Sequence, residues 1–295
     1  MLGSTSISKL YLGSTEVSKA YLGSTEVYSS QEFLLDTYGS AEFAYSLREL
    51  TANRSAFTST GDTGSQTSGV WTVQIRRSSD NNQKSFTSEE ITDGTLTTWV
   101  GSGNIGYVSR WYDQSGNSND GYQSTTTRQP VLVESTGLGY EGSNPAIRPD
   151  GADDYLFITT PHIGYSDIFT VYRATNNSSA VFRHLNVSAS AGGRRSNGTW
   201  YYQDSTGTLA IGTTHPSTQV VSEFAHFSST KSIYSNDQLI GDTATTAAPT
   251  SDIGRVGFYT GGGTGTLSEF ILYSSDKSTD RSNIFSNMNA YYGAY

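Results

Sequence analysis

Through most of the chain, apolar residues recur at every second position. In "VWTVQIRRS" (Val70–Ser78), Trp71, Val73 and Ile75 alternate with Thr72, Gln74 and Arg76. A two-residue period belongs to a strand with one buried face. The same reading covers "YVSRWYD", "PVLVE", "AIRPD", "DYLFIT", "DIFTVYRAT", "AVFRHLNV", "TWYYQD", "LAIGTT", "QVVSEFAHFS", "KSIYSN", "QLIGDT", "GRVGFYTG" and "TLSEFILYS". Gly, Asn, Asp and Ser separate these runs at short intervals, the spacing of a sandwich rather than of β-α alternation. "IYSNDQLIGD" is the clearest hairpin, with Asn236-Asp237 between two alternating runs. Helical spacing is expected in three places. Phe43, Leu47 and Leu50 in "SAEFAYSLREL" fall at i, i+4, i+7 behind a capping Ser40. Ser88, Glu90 and Ile91 open "TSEEITDGTLTTWVG" as a capped start, and Ile284, Met288 and Tyr291 share a face near the C-terminus.

The N-terminal segment has a different pattern. A ten-residue phrase opening "LGST" recurs from Leu2, Leu12 and Leu22, with Ile7/Val17/Val27 and Tyr11/Tyr21 at matching places. Alternation within it predicts strands broken at "GST", giving a small meander of near-identical hairpins. Such a ladder has too few apolar residues for a core and needs another chain or a partner to hold it; a flexible leader is the competing reading. No linker interrupts the rest. The expected organisation is therefore a β-repeat anchoring or oligomerisation segment at 1–30 and one domain at 31–295.

Composition narrows the class. Charged residues are only 15% of the 295, while Gly (31) and Tyr (20) are abundant, which suits short strands and turns rather than a helical bundle. A net charge of −9 argues against nucleic acid, whose phosphates demand clustered cations. With no cysteine, disulfides and thiolate metal sites are excluded, which leans towards folding in a reducing cytosol. No apolar run reaches membrane-spanning length, and the N-terminus lacks the pattern of a signal peptide.

Several phrases resemble a known family. "AYSLRELTAN", "VQIRRSSDN", "VSRWYDQSGNSNDGYQSTTTRQPVLV" and "NPAIRPDGADDYL" occur in that order and resemble the N-terminal half of the α-L-arabinofuranosidase B catalytic domain, a concanavalin-A-like sandwich. "DIFTVYRA", "SIYSNDQLIGD", "GRVGFYTGG" and "LSEFILYSSDKSTDRSNIFSNMNAYYG" resemble a laminin-G-like jelly roll. The resemblance implies an all-β jelly-roll sandwich with a few short helices, preceded by the repeat segment. It is less specific for activity, because the same sandwich serves as a binding module in bacteriophage tail fibres, spikes and other virion proteins. The leader also resembles short repeats at the N-termini of phage structural proteins.

The candidate chemistry is sparse. "WYDQSGNSND" places Asp113, Asn117, Asn119 and Asp120 within eight residues. Ca²⁺, which takes six to eight oxygens at about 2.3–2.6 Å, is the ion they would suit, although the spacing is not that of an EF-hand. The favoured alternative is a turn in which Asp113 and Ser115 exchange hydrogen bonds and Gly116 takes positive φ. Asp153 and Asp154 pose the same choice between a ligand role and a tight turn. A glycosidase needs two facing carboxyl groups, and spacing pairs none of Glu134, Glu141, Asp153, Asp154, Asp204, Glu223 and Glu269. The resembled enzymes use cysteines around their active site, and their catalytic carboxylates match no position here; Glu269 falls where laminin-G-like folds carry a structural acid. The histidines show no metal spacing, and "YTGGGTGT" lacks the Lys-Ser/Thr of a phosphate loop and reads as a mobile surface loop. In "GTWYYQDSTG", Trp200, Tyr202, Gln203 and Asp204 combine rings that stack on a sugar with groups that bind its hydroxyls. The competing arrangement buries Tyr201 and turns Trp200 and Tyr202 to the other face.

The expected function is therefore a virion structural protein: a tail fibre, spike or head-decoration component, folded in the host cytoplasm and exposed on the particle. Ile7, Tyr11, Val17, Tyr21 and Val27 would attach it to other virion proteins or to itself, as a homotrimer. Its jelly roll would bind host-surface glycan, with no cofactor beyond a candidate Ca²⁺ and no membrane or nucleic-acid partner. The alternatives are a glycoside hydrolase or depolymerase on the same sandwich, and a capsid or tail cement protein.

Overall fold

The computed structural model describes residues 11–12, 15–16, 19–22, 25–29, 33–52, 70–175, 179–183, 191–195, 197–250, 252–257 and 264–295. Its strands form two large antiparallel sheets. A six-stranded sheet runs Gln238–Ala244, Thr230–Ser235, Val220–Phe227, Ser166–Ala174, Gly265–Tyr273, Phe43–Ser46. A twelve-stranded sheet includes, as successive neighbours, Val131–Glu134, Gly106–Trp111, Gly121–Tyr122, Leu156–Ile163, Asp252–Val256, Ser179–Arg183, Ala191–Arg194, Thr199–Asp204 and Gly207–Thr214. The strand Trp71–Arg77 joins beside Gly106–Trp111.

Alternation places one face of each sheet in a shared core that holds Val73, Val108, Trp111, Leu156, Ile158, Ile168, Tyr172, Phe182, Phe224 and Phe270. Gly192 keeps this core close-packed: a Cβ there would stand 2.5 Å from the Phe182 ring and 2.8 Å from Phe224. The six-stranded sheet is apolar on its outer face as well. Phe169, Val171, Val221 and Ile271 pack there with Leu34 and Leu35 of the Leu34–Tyr38 helix and with Ile284, Phe285 and Met288 of the Arg281–Tyr292 helix.

Most expected strands are present, and the Asn236-Asp237 hairpin is closed by φ values of 49° and 60°, the left-handed pair of a type I′ turn. "AIRPD" contributes only isolated bridges, from Ile147 to Leu267 and from Arg148 to Val131. The start expected at Ser88 is capped by Thr87 in a reciprocal box with Glu90, and the segment makes two short helices, Ser88–Thr92 and Thr95–Val100. In the last helix Tyr292 is buried and Tyr291 is exposed, so the inward face is Ile284, Met288 and Tyr292. The "YTGGGTGT" loop lies mainly outside the described residues.

The helix expected over "SAEFAYSLREL" is a correction: Phe43–Ser46 is an edge strand paired with Gly265–Tyr273. Phe43 and Tyr45 enter the central core while Ala44 enters the outer one, so both faces of the segment are buried. A strand buried on both faces loses its alternation in sequence, and helical spacing then appears by accident.

In the repeat, Tyr11–Leu12 pairs with Thr15–Glu16 and Lys19–Leu22 with Thr25–Ser29, each as its own two-stranded sheet. Leu12 faces Thr15 and Leu22 faces Thr25, so both copies fold back at the same point, with Thr already in the return strand. Ile7, Val17 and the side chains of Tyr11, Tyr21 and Val27, named as attachment residues, lie outside the described residues.

Candidate functional site

The oxygen-rich loop after Trp111 is a structural staple. Asp113 Oδ1 accepts from the amides of Ala44 (2.8 Å) and Ser115 (2.9 Å), and Oδ2 accepts from Ser115 Oγ (2.7 Å) and the Asn119 amide (3.0 Å). Those four bonds use the carboxylate's accepting capacity. Asn117 Nδ2 donates to the carbonyls of Ala41 and Glu42, and Asn119 Nδ2 donates to Glu42. Gln114 receives the Leu50 amide and donates to the carbonyls of Ser46 and Arg48. Asp120 receives the Asp113 amide and the Arg110 guanidinium. The four residues considered for Ca²⁺ thus engage the backbone of the Phe43–Ser46 region and one another, with Gly116 at φ 91°. Among the described residues no group of three or more His, Asp and Glu side chains converges as metal ligands would.

The strand Thr199–Asp204 alternates in the phase opposite to a sugar-facing one. Trp200 and Tyr202 are each 1% exposed and belong to the core. A ring enclosed on both faces has none to offer a sugar, so neither serves as a stacking platform. Trp200 lies 4.0 Å from the His215 ring, whose Nε2 meets the Tyr172 hydroxyl at 2.7 Å; burial pulls His215 down to about 4. Asp204 is buried between His226 Nδ1 (2.8 Å) and Lys231 Nζ (2.7 Å) and is spent on that network. Burial acts against its ionised form, but hydrogen bonds from His226, Lys231 and Thr206 prevail and hold it well below the carboxylate range. Of the four sugar candidates only Gln203 faces outward, beside Tyr201.

The carboxylates considered for glycoside hydrolysis are dispersed. Glu269 lies under the last helix, paired with Arg48 (2.8 Å) and Tyr292 (3.0 Å); Glu223 binds Arg281; Asp153 binds Arg128 (2.7 Å); Glu141 binds Arg173 (2.8 Å). An open cleft of about 520 Å³ is lined by Glu134, Arg148, Asp150, Arg173 and Thr266, among others. Near it, the Asp150 amide donates to Asp154 Oδ2 (2.7 Å), and burial pushes the Asp154 carboxyl up to about 6.

The outer face of the twelve-stranded sheet carries a different arrangement. Register places Gln74 opposite Arg110, Arg110 opposite Tyr122, Tyr122 opposite Phe157, Phe157 opposite Arg255, and Arg255 opposite Arg183. The sequence neighbours Trp111, Leu156, Ile158, Val256 and Phe182 point into the core, which turns this row outward. Tyr122 is 40% exposed, and the other members are half-buried. The Tyr122 and Phe157 rings stand 5.9 Å apart at 37°, and Arg255 lies 5.2 Å over Phe157. Tyr201 and Gln203 continue the same face, with Arg195 5.6 Å over the Tyr201 ring. Burial raises the Tyr201 hydroxyl to about 12, against the pull of Arg183 and Arg195. Sequence reasoning did not single out Tyr122, Phe157 or Arg255. Alternation in "DYLFIT" turns Phe157 away from Leu156 and Ile158, but only strand order reveals what stands beside it.

No protein-family model matches the sequence, and no curated protein is significantly similar to it. The fold is shared with solved arabinofuranosidase structures, among them a GH54 α-L-arabinofuranosidase. One, soaked with a cyclic sulfate inhibitor, aligns at TM-score 0.56 and 16% identity over 87% of this chain; another, complexed with arabinofuranosyl-α-1,2-xylobiose, aligns at TM-score 0.55 and 16% identity. The chain corresponds to 64% of the length of those enzymes' chains. A Trypanosoma rangeli sialidase with sialic acid aligns over 61% of the chain and 31% of its own at 12% identity, with a TM-score of 0.43, too low to carry an argument.

Proposed function

We propose that the chain is a carbohydrate-binding β-sandwich whose glycan lies across the outer face of the twelve-stranded sheet. The observation that carries this is the outward pair Tyr122 and Phe157, side by side on adjacent strands with guanidinium and amide groups in the same row. A sugar ring presents an apolar C–H face to an aromatic ring and hydroxyls to donors such as Arg and Gln. Tyr122→Ala is the direct test, because the side chain is exposed enough to remove without damage to the core. Glycan-array binding should weaken by at least about tenfold, the equivalent of ~1.4 kcal/mol. Unchanged affinity would remove the proposed platform.

The carrier of this module belongs to the same reading. Residues 1–30 attach it to a virion and to its own copies, supported by the recurring "LGST" phrase and by hairpins that pair only within themselves among the described residues. Comparing the oligomeric state of the full chain with a variant lacking 1–30 tests this; two equally stable monomers would overturn it.

One observation favours a second reading, glycoside hydrolysis. Burial raises the Asp154 carboxyl, whose Oδ2 accepts from the amide of the cleft residue Asp150, to about 6, so it holds a proton in mildly acidic solution as a general acid working there needs. Release of reducing ends from a bound glycan, abolished in Asp154→Asn, would establish hydrolysis. Binding without release would leave the module non-catalytic.

A further inference from the structure

At one end of the sandwich, side chains from separate elements form a line. Asp204 closes the strand Thr199–Asp204, His226 lies near the end of Val220–Phe227, and Thr245 directly follows Gln238–Ala244. Asp204 Oδ2 stands 2.8 Å from His226 Nδ1, and His226 Nε2 stands 3.0 Å from Thr245 Oγ1. Neither the cleft nor the outer row includes any of the three.

The directions of these hydrogen bonds follow from charge. Burial opposes ionisation of Asp204, but hydrogen bonds from His226, Lys231 and Thr206 outweigh it, so the carboxylate only accepts. His226 Nδ1 must then donate. In the neutral imidazole Nε2 keeps a lone pair, and the Thr245 hydroxyl donates its proton there. Each member is also held from outside the line. Lys231 Nζ (2.7 Å) and the Thr206 amide (2.8 Å) bind Asp204 Oδ1, the Tyr165 ring stands edge-on 5.5 Å from His226, and the Thr245 amide donates to the Ser229 carbonyl at 2.7 Å. His226 is fully buried, whereas Thr245 is half-buried and its neighbours Ala244 and Thr246 are exposed. The hydroxyl is thus the member nearest solvent, with a dry base behind it. A carboxylate, an imidazole and a hydroxyl in this order activate an alcohol for attack on an acyl carbon.

We propose that Thr245 is the nucleophile of an ester-hydrolysing site, with His226 its general base and Asp204 the positioning residue that fixes the imidazole tautomer. Thr245 Oγ1 attacks the ester carbonyl carbon while its proton passes to His226 Nε2. The tetrahedral intermediate collapses by cleavage of the bond to the alcohol oxygen, and the alcohol leaves with that proton. Water then attacks the acyl-threonine and gives one proton to Nε2. The acid departs as Thr245 Oγ1 takes that proton back. The net change is ester plus water to acid plus alcohol. Small acyl esters are the substrate class, since the threonine methyl crowds the attacking oxygen. This activity stands apart from glycan binding.

The test uses the full chain with p-nitrophenyl acetate. Thr245→Val removes the hydroxyl but keeps the shape, and should lower the rate above buffer at least about hundredfold, the scale of general-base catalysis. Thr245→Ser should retain turnover, and melting temperatures report that both variants are folded. Acid quench during the first turnovers should trap an acetyl group that peptide mass spectrometry places on Thr245. At about pH 8, where an ordinary imidazole is neutral, nitrogen NMR should show the Nδ1–H tautomer for His226. No turnover above buffer, an equal rate in Thr245→Val, or acetyl found only on other residues would overturn the proposal. The Nε2–H tautomer would remove His226 as the base and the proposal with it. None of these results bears on the glycan face, which Tyr122→Ala tests separately.

Discussion

Trp200→Ala separates the two faces of its strand most sharply. The ring is 1% exposed, lies 4.0 Å from the His215 ring and 6.5 Å from Phe224, and belongs to the core between the sheets. An aromatic side chain of this kind buries about 200 Å², and at ~25 cal/mol per Å² its removal costs about 5 kcal/mol before relaxation. Measured Trp and Phe truncations in cores fall at about 3–5 kcal/mol. For a domain of this size each kcal/mol is about 2–4 °C, so the melting temperature should fall by about 10 °C. Urea unfolding followed by tryptophan fluorescence and by circular dichroism gives the free energy directly. Tyr122→Ala, at 40% exposure on the outer face, is the control and should cost less than about 1 kcal/mol. A Trp200→Ala protein within about 1 kcal/mol of its parent that has lost glycan affinity would refute the placement of this ring and the outward row with it.

Three further outcomes follow from buried polar groups. His215 should titrate near pH 4 by NMR; since the unfolded chain takes up that proton near 6.5, its contribution to stability is full above about 6.5 and is lost as pH falls towards 4, by up to about 3 kcal/mol. Asp167 faces Glu223, both fully buried, and burial with that neighbouring acid pushes its carboxyl well above the usual range. Its stabilising proton is present at low pH and lost as pH rises through the folded-state value, so Asp167→Asn, which keeps an acceptor for the Lys277 amide, should gain about 1–3 kcal/mol at pH 8 and little at pH 4 in urea titrations. Asp204→Asn leaves the ammonium of Lys231 buried without its counter-charge and should cost about 3 kcal/mol or more by the same measurement.

How much was legible depended on how many faces of a strand are buried. "VWTVQIRRS" shows its alternation because one side is core and the other carries Gln74 and Arg76, and it is read correctly from its two-residue period alone. "EFAYS" is buried on both sides and mimics a helix, since nothing polar marks its period. "TWYYQD" shows its period but not its phase: with three adjacent aromatics, Trp200 and Tyr202 or Tyr201 could equally have been the core set. The Asp113 loop was legible as a turn, but its role in holding the Phe43–Ser46 strand was not, because its partners lie about seventy residues earlier in the chain.

By itself the sequence determined an all-β chain, its turns, the absence of cysteine chemistry and the recurring phrase at the N-terminus, because each is written in local period and composition. The tertiary structure decided which strands are neighbours. Tyr122, Phe157, Arg255 and Arg183 come from four separate stretches, and only antiparallel register sets them in one line. Hydrogen bonds between distant strands select that register by burying the opposite faces in a common core, and the outward row follows from it.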